Sequence, residues 1–184
     1  MPIRLRTDAP AEGHSAITDA IADLVEPAAD DGLGGGGGLD LSDPIPVYLL
    51  GLDRIKAADP LEHVELVAWR YLLERPDNAQ IGYADVQQRD AKAEFVSVTG
   101  GDVAAALLEA AHRAEAYAAT RRGDVEIRLL EVPSVKLSAI WLVDGTDVFI
   151  PYIDGNQQSQ FKWKTVSRDA VLKELADRAK FIAN

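Results

Sequence analysis

Apolar residues recur along this chain with two different periods, and the changes of period mark out its elements. Ile17, Ile21, Leu24 and Val25 fall at i, i+4, i+7 and i+8, the spacing of one face of a short helix. Ser15 is placed to cap it, and Pro27 cannot continue it. Pro46 to Leu50 reads as a strand. Val64 to Glu74 fits either helix or strand, but Trp69, Tyr71 and Leu73 alternate with Arg70, Leu72 and Glu74. Ile81 to Val86 alternates again after the turn signal Pro76-Asn78, so a β-hairpin is predicted across that turn. Phe95 to Val98 is a further short strand. Asp102 opens the clearest helix, to about Arg121, with Val103, Leu107, Ala110, Ala114 and Tyr117 as its apolar stripe. Val125, Ile127 and Leu129 alternate with charged residues, as a half-buried strand does. Val135 to Val143 is apolar on both faces, which predicts a central strand. Asp144-Gly145-Thr146-Asp147 turns it into Val148 to Tyr152. A polar loop carrying Phe161 and Trp163 leads to a last helix, Ser167 to about Ile182, with Val171, Leu172, Leu175, Ala179 and Ile182 inward.

Strands joined by short turns pair antiparallel, and the two long helices are not interleaved with strands as βαβ units. The expected fold is α+β, an antiparallel sheet with helices packed on one face. Five consecutive glycines, Gly34 to Gly38, lose the most backbone entropy on ordering and read as a flexible linker. Two parts follow: an acidic N-terminal arm over 1–43 that carries the short amphipathic helix, and an α+β core over 44–184. Within the core, Trp69-Arg70-Tyr71-Leu72, Ile127-Arg128-Leu129-Leu130-Glu131-Val132-Pro133, Ala139-Ile140-Trp141-Leu142 and Ile150-Pro151 resemble segments of small bacterial proteins of unknown function. That resemblance implies an α+β fold and carries over no site residue.

Composition narrows the classes of function. With 184 residues, 47% of them hydrophobic, the chain can bury a core, yet no apolar run reaches the length of a membrane span. No secretory signal is expected behind Met1-Pro2-Ile3-Arg4. The absence of cysteine removes disulfides, thiolate metal sites and cysteine nucleophiles, and fits a cytoplasmic location. A net charge of −11 disfavours nucleic acid and anionic membrane as partners. The charge is uneven. Residues 1–60 hold 11 acidic and 4 basic side chains, and no Lys or Arg lies between Thr7 and Asp53. Residues 160–184 hold six basic and three acidic side chains.

Motifs that would carry chemistry fail on their context. Gly32-Leu33-Gly34-Gly35-Gly36-Gly37 matches a dinucleotide fingerprint only formally, because it lacks a preceding strand and is flanked by carboxylates. Gly35-Gly36-Gly37-Gly38-Leu39-Asp40 begins like a calcium repeat, but Ser42 stands where a large apolar residue is required, so Asp40 and Asp43 read as a solvated acidic loop rather than a calcium site. His14, His63 and His112 form no ligand or catalytic pair, and no Gly-x-Ser-x-Gly elbow is present. No catalytic, cofactor or metal residue is therefore assigned. Phe161-Lys162-Trp163-Lys164 interleaves aromatics and cations in a contact-prone way. A strand with the two aromatics inward is the preferred reading there, over a base-stacking platform.

Two functions remain. The favoured one is a non-enzymatic interaction or assembly protein that docks on a protein partner or on itself. Its contacts would be Ile17, Ile21, Leu24 and Val25 of the arm, with Phe161 and Trp163. The other is a small-molecule binder or enzyme with a pocket at the sheet edge, lined by Trp69, Tyr71, Trp141 and Tyr152.

Overall fold

The computed structural model describes residues 3–25, 40–74, 81–90, 92–155 and 161–182, with backbone alone at 23–25 and 81. Among them are ten strands and three helices in an α+β arrangement. In chain order they are β1 (Ile3–Arg4), α1 (Gly13–Val25), β2 (Asp40–Leu41), β3 (Ile45–Leu49), β4 (Glu65–Glu74), β5 (Ile81–Arg89), β6 (Lys92–Gly100), α2 (Gly101–Ala119), β7 (Val125–Val132), β8 (Leu137–Val143), β9 (Asp147–Asp154), β10 (Val166–Ser167) and α3 (Arg168–Ile182). The glycine run and the hairpin turn at Pro76-Asn78 lie outside the described residues. Contacts divide the chain into two units, one of Met1–Leu5, Pro46–Val67 and Ala106–Asn184, the other of Arg6–Ile45 and Ala68–Ala105.

The first unit is built around β7. Its Val125, Ile127 and Leu129 point to one side and Leu130 and Val132 to the other, and all five are buried. β8 pairs antiparallel along β7, from Glu126↔Val143 to Val132↔Leu137. β9 pairs antiparallel with β8, and the short β10 with β9. As predicted, β8 is therefore central, and Trp141 is only 4% exposed. On the remaining side of β7 lie β1 and β3, both parallel to it. The expectation of a purely antiparallel sheet is thus corrected: pairing is mixed, though mostly antiparallel. The parallel partners Val47 and Leu129 are some eighty residues apart, too far for any local turn signal to reveal.

α3 covers one face of this unit. Val171, Leu175 and Ala179 cluster with Leu130, Val132, Leu137, Ala139, Trp141 and Phe149. Ile182, expected inward, is exposed because it sits in the last turn, past this contact. α2 begins at Gly101 with φ +68, so Asp102 lies in its first turn and does not cap it. Its buried stripe is Ala104, Leu107, Ala110, Ala114 and Ala118. Val103 is exposed and Tyr117 half-buried, one position off the stripe expected from their hydrophobicity.

In the second unit, β4, β5 and β6 form an antiparallel meander, and β2 pairs with β4. The ambiguous segment 64–74 is strand, and the predicted β4–β5 hairpin is present, from Trp69↔Val86 to Glu74↔Ile81. α1 lies over β5 and β6. Ile17, fully buried, and Ile21 close a cluster with Trp69, Tyr71, Leu73, Ala84 and Val86. α1 starts at Gly13, so Ser15 is inside its first turn and donates to the Glu12 carbonyl at 2.9 Å, in place of the expected cap.

Candidate functional site: a strained cationic turn

Phe161 to Lys164 forms a turn in the first unit, where a strand with both aromatics inward was expected. Phe161 packs half-buried against the core cluster beneath α3. The Lys164 amide donates to the Phe161 carbonyl at 2.9 Å and closes the turn. The Trp163 amide donates to Pro151 on β9 at 2.7 Å. Trp163 is the third of the four turn residues and has φ +62. Glycine or asparagine normally fills such a position, because a Cβ crowds the backbone there. From α2, Arg113 Nη1 donates to the Trp163 carbonyl at 2.9 Å. The indole ring lies between two cations, with the Arg113 guanidinium 6.0 Å from its centroid and Lys162 Nζ at 4.6 Å. Its Nε1–H is buried without an acceptor among the described residues. Lys162 and Lys164 are exposed on either side. The result is a half-buried indole flanked in sequence by two exposed lysines, one of them over its ring, on a chain whose net charge is −11.

Arg113 was missed in the sequence. It reads there as part of a solvated charged face with Glu109, to which it does bond at 2.7 Å. Nothing in local spacing links it to a residue fifty positions away.

The other sequence candidates are placed as follows. Ile17 and Ile21 are buried within their own unit. Leu24 and Val25 belong to α1, but their side chains lie outside the described residues. Trp69 and Tyr71 pack in the cluster under α1, where burial raises the Tyr71 hydroxyl above its ordinary pKa. Trp141 stacks on Phe149 at 5.8 Å and donates Nε1–H to Asp147 at 2.8 Å, while Arg128 lies 4.7 Å over its ring. The Tyr152 hydroxyl donates to Glu131 at 2.7 Å, and the same carboxylate accepts from Ser138. Each of these four aromatics is filled in by packing or by a polar partner, and no cleft described below is lined by any of them.

Open clefts among the described residues of the first unit include the following two. One, of about 390 Å³, is lined by Gly145, Thr146, Asp147, Ser167, Arg168 and Asp169. Its arginine is held by Asp59 and lies 3.4 Å from Asp147, so its charge is already matched. The other is lined by Leu52, Asp53, Lys56 and Ala179. In the second unit, Arg70 makes a two-pronged pair with Asp85 at 2.7 and 2.8 Å and stacks 3.9 Å over Tyr83. Such a satisfied buried pair fixes geometry and offers no free group. β6 pairs only with β5 among the described strands, but a bulge leaves Val96 unpaired in mid-strand. Bulges of this kind interrupt the ladder and hinder further pairing at a sheet edge. No group of three or more potential metal ligands occurs among the described residues. No helix among them is long and apolar enough to cross a membrane.

No protein-family model, no curated protein and no solved structure matches this chain.

Proposed function

We propose that this chain is a non-enzymatic interaction or assembly protein of the cytoplasm, and that its docking element is the 161–164 turn together with Arg113. The observation that carries this reading is Trp163 in a backbone conformation that side chains rarely adopt. Strain of this kind costs on the order of 1–2 kcal/mol and persists where its surroundings enforce it, commonly at functional positions. Here Pro151, Phe161 and Arg113 supply that enforcement. What the strained turn presents is the exposed pair Lys162 and Lys164 beside a half-buried indole, a combination suited to an acidic protein surface. The arm enters this reading differently from the sequence expectation. Ile17 and Ile21 of its apolar stripe are used inside the chain, so neither is offered to a partner.

The test is a photo-reactive amino acid placed at position 164, and separately at the exposed Lys92, in cells producing the full chain. A discrete adduct at 164 and none at 92 is expected. Absence of any adduct at 164 would overturn the reading.

A further inference from the structure

We propose that the partner of the cationic turn is a second copy of this chain, which offers the acidic outer side of α1. This rests on the docking role just given to the turn.

Burial of Ile17 and Ile21 fixes which side of α1 faces outward. Glu12 and Asp19 are both exposed, and neither has an ion-pair partner among the described residues. Asp19 lies on the exposed side of α1, and Glu12 immediately precedes its first turn. Asp40 and Asp43 are exposed in the same unit. No Lys or Arg lies between Thr7 and Asp53 to neutralise this region. Asp8, the one nearby carboxylate with a cation, is taken by Arg6, which holds its pKa below the ordinary value. Among the described residues the chain therefore offers carboxylates without an ion pair at α1 and lysines without one at the turn. Lys162 and Lys164 have no carboxylate partner among the described residues.

Two different patches that complement each other meet either reciprocally in a closed twofold dimer or head to tail, in which case the assembly closes only if the rotation between copies allows it. Contacts between exposed charges are weak singly and screened by salt. The assembly should therefore depend on concentration and weaken as ionic strength rises. A chain of net charge −11 also repels its own copies, so contact between copies is favoured where opposite signs meet.

Sedimentation velocity on the purified full chain at low and raised salt tests this, with two charge-reversed forms. In one, Lys162→Glu and Lys164→Glu make the turn acidic like α1. In the other, Glu12→Lys and Asp19→Lys make α1 basic like the turn. All four positions are exposed, and unchanged circular dichroism confirms that each form folds. Each form alone should associate at least tenfold more weakly than the native chain. An equimolar mixture should recover association, because every contact between unlike forms is again between opposite signs. A native chain that stays monomeric at low salt would overturn the proposal, as would reversed forms that associate normally or a mixture that fails to recover. If position 164 is cross-linked in cells to some other protein while the purified chain is monomeric, self-assembly falls and the docking role of the turn stands.

Discussion

At the scale of single residues, two positions are set by what a Cβ atom would meet or avoid. Trp163 occupies a glycine-like backbone state, so Trp163→Gly and Trp163→Ala should differ although both remove the ring. The glycine form should be more stable by about 1 kcal/mol, the cost of a Cβ at positive φ. Paired urea titrations give this difference directly, and equal stability would mean that the turn relaxes once the ring is gone. Gly13 is the reverse case. A Cβ there would lie 2.0 Å from the Tyr71 hydroxyl oxygen, and Tyr71 is only 1% exposed. Alanine is ordinarily better than glycine in a helix by about 0.5–1 kcal/mol. Here the clash should win, with Gly13→Ala costing roughly 1–3 kcal/mol as an overpacked site does. A stabilised variant would show that α1 moves off Tyr71 freely. Neither effect was legible in the sequence. Trp163 carries no mark of its φ, and Gly13 no mark of the tyrosine fifty-eight positions later. The burial of Trp141 was legible, because its neighbours are apolar on both faces of the strand.

At the scale of elements, what could be read was whatever depends on near neighbours. Alternation at Trp69, Tyr71 and Leu73, with a turn signal beside it, located the β4–β5 hairpin. The apolar run around Ile140 located the central strand β8. Pairing of β3 with β7 was not legible, since parallel partners are brought together by everything folded between them. The same holds for the tie between the end of α2 and the β8–β9 turn, where Arg121 donates to Asp144 across 23 positions. That hydrogen bond, helped by Thr146, keeps the Asp144 carboxyl below its ordinary pKa. A carboxylate with a depressed folded pKa contributes stability that is present above its unfolded pKa and lost as pH falls through the folded one. Arg121→Gln should thus lower stability near neutral pH, and the gap to the native chain should close on acidification below the usual carboxylate range. Thermal unfolding of both forms across that range measures it. A gap that stays constant with pH would assign the role of Arg121 to packing on Tyr117, 4.9 Å from its guanidinium.

At the scale of the whole molecule, composition and contacts report on different things. The glycine run places a boundary near residue 43, whereas contacts group Arg6–Ile45 with Ala68–Ala105. Composition reports where a chain is costly to order. It does not report where a short amphipathic helix finds its apolar surface, and here that surface is Trp69, Tyr71, Leu73, Ala84 and Val86. Removal of residues 1–43 should therefore act unevenly. In the second unit it takes away Ile17 and Ile21 and leaves two large aromatics open to water, a loss of the size seen when buried side chains are deleted. The first unit loses β1, which pairs with β7 only at Val125 and Glu126, while the cluster beneath α3 draws its buried members from Tyr48 to Ala179. Amide exchange on the truncated chain should show β4 and β5 losing protection, with β7, β8 and β9 retaining most of theirs. Binding of a hydrophobic dye should rise, since a solvent-exposed Trp69 and Tyr71 form the kind of apolar patch that soluble chains rarely leave open. Protection at β4 and β5 equal to that of the full chain would show that α1 contributes nothing to holding the meander together. The exposed acidic side of α1 would then be borne by an element free to leave, and the self-assembly contact would have to be sought with α1 detached.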